Sequence, residues 1–180
     1  MAAPLSVIKS ILTVGGWTMV SRVLGFVRDL LIANFLGAGM IADAFFVAFK
    51  LPNLFRSLFA EGAFNVAFVP LFSEQLETKG KEPARLFAEE AFSALFYIVL
   101  LFSAIAEIAM PLFIIVQAPG FIEDTAKFDA AVIMARITFP YLLLVSLNSL
   151  QSGMLNSMGH FAAAALTPVL LNLTMIASLF

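Results

Sequence analysis

The sequence predicts an all-α protein, a polytopic transmembrane helical bundle of about five spans. Three observations carry that prediction. Of 180 residues, 62% are hydrophobic and 12% charged, where soluble domains hold about 45–50% and about 25%. The mean hydropathy is +1.01, so too little polar surface exists to clothe a water-facing globule. The apolar runs also exceed the ~20 residues a helix needs to cross a bilayer, and they lack the alternation of ~10-residue barrel strands.

Five runs follow one another, over residues 7–36, 40–76, 84–117, 127–156 and 160–180. The breaks read "GAG" (37–39), "ETKGKEP" (77–83), "APGFIEDTAK" (118–127) and "NSMGH" (156–160). Each contains Gly, Pro or a charge cluster, as a turn requires. Pro52, Pro70, Pro111, Pro140 and Pro168 fall inside or near the ends of these runs, so long, tilted and bent helices are expected. Lys79, Lys81 and Arg85 make the second break the basic one. The positive-inside rule then places the N-terminus in the cytoplasm, and Lys9 agrees. Arg22 and Arg28 stand where a cleavable leader would end, so the first run reads as a retained span. The closing "MIASLF" lacks an interfacial or basic stop, and the chain reads as the N-terminal fragment of a longer protein.

Several function classes are disfavoured. Cysteine is absent, which removes disulfides, thiolate metal sites and cysteine nucleophiles. A lone His160 cannot build a multi-histidine metal site, and no cofactor or metal is expected. No basic stripe outside the apolar runs offers itself to nucleic acid. No phosphate-cradling glycine loop, zinc-protease motif or glycine-flanked nucleophilic serine appears, so the chain does not read as an enzyme.

The informative residues are charges inside the first two runs: Arg22, Arg28, Asp29, Asp43, Lys50, Arg56 and Glu61. A charge at a helix centre costs about 2.5–3.5 kcal/mol on insertion scales, and such residues face a bundle interior or a wet cavity. Arg22 and Asp29 share a helix face with Gly25, roughly 10 Å apart along the axis, too far for a direct pair. A bend at Gly25 would turn both arginine heads toward one cavity. Asp43 and Lys50 share a face of the second run. Ion pairs that lock helices together explain Asp29, Asp43 or Glu61 better than they explain the arginines. Three arginines and a lysine against three acids leave one surplus positive charge. Clustered arginines suit a phosphorylated anion, because the guanidinium fork matches phosphate oxygens. Glu107 is ambiguous, and Arg136 reads as an interfacial anchor. Asn148, Gln151 and Asn156 read as bonds between helices.

The blocks "SRVLGFVRD" (21–29), "GAGMIADAFFVAFKLPNLFRSLFAEGAF" (37–64), "AFVPLFSE" (67–74), "APGF" (118–121), "ITFPYLLL" (137–144) and the Pro168–Asn172 motif stand in order along the chain. Together they resemble the bacterial MurJ/MviN family, lipid II flippases of the multidrug/oligosaccharidyl-lipid/polysaccharide exporter superfamily. The resemblance implies a fourteen-helix, two-lobe transporter of the bacterial cytoplasmic (inner) membrane. This chain would supply four helices and most of a fifth from the N-terminal lobe. It implies that Arg22, Arg28 and Arg56 hold the pyrophosphate of lipid II, that Asp43 is functionally important, and, more weakly, that Asp29 belongs with them. Ser57 stands where some family members carry a second basic residue. The implied partners are lipid II, membrane lipids and cell-wall synthesis proteins. The implied mechanism is alternating access, in which two lobes rock about a midplane site. A drug or cation antiporter of the same superfamily would want an acid-dominated cavity. A non-transporting scaffold of the wall machinery would use the charges only as helix locks.

Overall fold

A computed structural model describes residues 4–59 and 63–180. Glu61 and the side chain of Lys9 lie outside the described residues. Among the described residues every regular element is helical: α1 (Pro4–Leu36), α2 (Met40–Phe59), α3 (Ala63–Thr78), α4 (Lys81–Ile108), α5 (Met110–Gln117), a 3-10 turn (Pro119–Glu123), α6 (Thr125–Thr138), α7 (Tyr141–Ser157) and α8 (Phe161–Ala177). They form two compact units, one of residues 1–37 and 152–180, the other of 38–151.

The first unit is built on α1 against α8. Pro4 opens α1, where its missing N–H is no loss. Gly37 closes it with φ of 64°, and its N–H bonds the Ala33 carbonyl at 3.0 Å. A left-handed residue after the last turn is the usual helix stop, and glycine adopts it without strain. Between these ends one stripe of α1 is sheltered: Ser21, Leu24, Gly25, Arg28, Leu31 and Ile32. The three- and four-residue spacing is that of a single helix face. On α8 the buried residues are Val169 and Asn172, again three apart.

The second unit packs α2 on α6 and α3 on α4, with α5 joining α6. The α2–α6 seam is made of small side chains. Ala44 and Ala48 on one helix, and Ala131 and Ala135 on the other, are fully buried. Small residues one turn apart let two backbones approach closely, which in lipid replaces the hydrophobic drive of water. Beside the seam, the Phe55 ring meets Phe102, Phe113 and Phe139 edge-on at 4.9, 5.8 and 5.8 Å. Phe68 stacks on Phe87 at 5.6 Å and fastens α3 to α4.

The prolines act locally. The third run divides at Ala109, just before Pro111, and the fourth at Phe139–Pro140. Pro52, Pro70 and Pro168 stay inside continuous helices. Large side chains point outward along the apolar helices: Ile108, Ile137, Tyr97 and Leu101 are all exposed. Lys81–Ile108 and the α6–α7 stretch Thr125–Ser157 each hold an 18-residue window, of mean hydropathy 2.1 and 1.9, long and apolar enough to cross a membrane.

Candidate functional site

The densest polar group of the first unit surrounds Arg28. Its position on the sheltered stripe of α1 aims it at α8. There its Nη1 donates to Asn172 Oδ1 at 2.8 Å and approaches Met175 Sδ at 3.9 Å. Nε and Nη2 both donate to Asp29 Oδ1, at 3.0 and 2.8 Å. Asn172 is itself held from the other side, donating Nδ2 to the Ser21 carbonyl at 2.9 Å and lying 3.3 Å from Ser21 Oγ. The amide therefore bridges two turns of α1. Gly25 lies against it: a Cβ there would stand 3.6 Å from Asn172 Nδ2, an ordinary contact distance.

The expectation for Gly25 is a bend that turns both arginine heads toward one cavity. α1 remains α-helical through the glycine, and the space beside it holds the Asn172 amide. Six residues of helix turn Arg22 and Arg28 about 120° apart. Arg22 is exposed, and among the described residues it has no ion-pair partner. Arg28 is half-buried. The two arginines thus differ in setting: Arg22 is exposed, and Arg28 is engaged by Asp29 and Asn172.

Asp29 pairs with its neighbour Arg28, and it does so from a side chain that is 67% exposed. Such an acid offsets the guanidinium charge from the exposed side of the pair. Asn172 entered the sequence reading only as the end of a motif, and its role as the pivot of the cluster was missed. The available signal was an amide in an apolar helix, since polar side chains within a span mostly bond between helices.

In the second unit Asp43, on the first turn of α2, accepts from Lys127 Nζ at 2.5 Å. Lys127 stands on the first turn of α6, whose start is capped by Asp124 accepting from the Lys127 backbone N–H at 3.1 Å. The same ammonium lies 4.5 Å from the centre of the Phe121 ring. An ion pair and a cation–π contact therefore hold one side chain. Lys50, which shares a face with Asp43, is exposed. Arg56 is half-buried in the last turn of α2, where a cation complements the helix dipole. Nearby, Gln117 donates to the Val47 carbonyl at 3.0 Å, tying α5 to α2. Arg136, read as an interfacial anchor, is exposed and donates Nε to the backbone carbonyl of Glu107 at 3.1 Å.

Of the candidate residues, the structure brings Arg28 and Asp29 together in the first unit. It places Asp43 with Lys127 in the second.

Apolar outward faces, small-residue seams and sheltered charge pairs define a helical membrane protein. The model of the family described as lipid II flippase MurJ matches residues 32–180. The chain belongs to that family. It is 52% identical over 177 residues to a probable lipid II flippase MurJ of Rhizobium tropici, covering 98% of this chain and 33% of the relative. A probable lipid II flippase MurJ of Rhizobium meliloti is 51% identical over 177 residues, covering 97% of this chain and 33% of the relative. A lipid II flippase MurJ of Burkholderia cenocepacia is 38% identical over 174 residues, covering 97% and 34%. The chain spans about a third of the length of these curated relatives.

Proposed function

We propose that the protein translocates lipid II, the lipid-linked peptidoglycan precursor, from the inner to the outer leaflet of the bacterial cytoplasmic membrane. The observation that carries the reading is the family match over residues 32–180, with relatives named for that activity. The protein is a transporter and no enzyme: its task is to bind and release a charged head group.

Arg22, Arg28 and Arg56 are the proposed pyrophosphate-binding residues, Asp43 a functionally important acid, and Asp29 a weaker member of the set. The Arg28 cluster supports this role. A guanidinium carries five N–H donors in a planar fork. Here that fork is preset by Asn172, while Asp29 offers one carboxylate oxygen to two of the donors. A phosphate oxygen has the same charge and a similar shape. The incoming anion exchanges with Asp29, so Arg28 is never left as an unpaired cation in an apolar setting. Release reverses the exchange. Alternating access then carries the head group across, with the N-terminus on the cytoplasmic side. The membrane potential contributes about 2.3 kcal/mol per charge per 100 mV.

The test uses cells depleted of their own flippase and supplied with the complete gene. Precursor exposed on the outer leaflet is measured for wild type and for Arg22→Ala, Arg28→Ala and Arg56→Ala. Restoration by wild type, and not by well-expressed variants, supports the pyrophosphate site. Failure of wild type itself points to another cargo.

A further inference from the structure

Glu107 lies outside both charge pairs, in the apolar helix Lys81–Ile108. Its Oε1 is buried and has no hydrogen-bond partner among the described residues. One turn earlier on the same face, Ser103 is 7% exposed, and its Oγ is likewise buried without a partner. Buried polar atoms are nearly always satisfied, so two orphans on adjacent turns call for a shared occupant. An ionised carboxylate in such a place is costly, and a proton removes the charge.

The cation beside it does not supply a direct pair. Arg136 on α6 bonds the backbone carbonyl of Glu107 rather than its carboxylate. Of the other elements on α4, α2 reaches it through the Phe55 and Phe59 rings on Phe102 and carries Lys50 and Arg56. α5 has no ionisable side chain, and Glu74 and Glu77 of α3 stand by the Gly80 turn, at the opposite end of α4. Arg136 is the cation held beside Glu107, through that carbonyl.

We infer that Glu107 and Ser103 form a proton-binding site on α4, with Arg136 of α6 setting its occupancy. The proton comes from water and sits on the Glu107 carboxyl, whose O–H then donates to Ser103 Oγ. When the Arg136 guanidinium moves from the carbonyl to the carboxylate, a charge pair forms and the proton returns to water. Protonation is thereby linked to the relative placement of α4 and α6. Ionisable groups within spans commonly serve as proton relays. The site stands whatever cargo the protein carries.

Infrared difference spectra of the protein expressed from its complete gene and reconstituted in lipid, taken at stepped pH, test this directly. A carboxylic-acid C=O band should grow as pH falls and vanish in Glu107→Gln. Arg136→Gln should preserve that band to higher pH, because removing the cation favours the protonated form. Ser103→Ala deletes one oxygen and spares the fold; it should shift the band's frequency, and this carries the test if Glu107→Gln misfolds. A pH-dependent band unchanged in Glu107→Gln, a band that follows sodium instead of pH, or a frequency indifferent to Ser103→Ala overturns the inference.

Discussion

In the α1–α8 unit the cation Arg28 is 20% exposed and its acid, Asp29, 67%; in the α2–α6 unit Lys127 is 22% exposed and Asp43 57%. Each pair shelters the base and leaves the acid in the open. The partners differ in origin and in chemistry. Arg28 and Asp29 are chain neighbours, so their bond fastens no helix to another; the fastening is done by Asn172. Lys127 and Asp43 are 84 positions apart, and their bond is itself the tie between α6 and α2. An arginine fork can trade one anion for another while Asn172 keeps it aimed. A lysine is a single point charge, here fixed by a carboxylate and a ring. The comparison teaches that similar acid–base pairs can leave the fastening of helices to a third group in one unit and be the fastening in the other.

The largest effect expected from breaking this contrast lies at Arg28. Arg28→Ala should remove about 2–5 kcal/mol of anion binding, enough to abolish precursor exposure without loss of expression. Arg28→Lys should fail as well, since one ammonium cannot hold Asn172 and a phosphate in the same geometry. Normal exposure with Arg28→Lys would show that charge alone suffices.

Asn172→Ala should come next. It leaves Ser21 and Arg28 without their shared partner, at about 1–3 kcal/mol for a buried unsatisfied group. Thermal unfolding in detergent should fall, and cargo transport should weaken without disappearing. An unchanged melting temperature would remove Asn172 from its place as the pivot.

A smaller effect should attend the tether. Asp43→Ala and Lys127→Ala should each destabilise modestly, with a coupling of about 0.2–1 kcal/mol in a double-mutant cycle. The exchange Asp43→Lys with Lys127→Asp should recover both stability and transport. If stability returns and transport does not, Asp43 contacts the cargo itself.

The smallest effect belongs to Gly25→Ala. The added Cβ meets Asn172 at ordinary contact distance, so melting temperature and transport should stay near wild type, while Gly25→Leu should displace the amide and mimic Asn172→Ala. A severe Gly25→Ala phenotype would point to a backbone bend at this position.

Much of the all-α character could be read from the chain, because hydropathy and run length are properties of composition and order. Gly37, Gly80 and Gly159 take the positive φ values on which turns after α1, α3 and α7 rest, and each falls in a break visible in the sequence. The membership of Asp29 and Asp43 in ion pairs was foreseeable in kind, since lone acids in apolar runs are costly. Their partners were not. Asp29 turned to its neighbour Arg28, which an ideal face diagram separates from it, because the long flexible guanidinium reaches around the helix. Asp43 found Lys127 rather than Lys50, although Lys50 shares its face.

By itself, then, the sequence determined the helical class, the breaks and the residue types able to hold an anion, since each depends on local chemistry and spacing. The tertiary structure decided which charges are sheltered, which are exposed, and that Asn172 and Gly25 fit one another across two helices. Those outcomes depend on contacts between α1 and α8, or α2 and α6, whose partners lie 84 to 151 positions apart. No local period encodes such a distance; packing does.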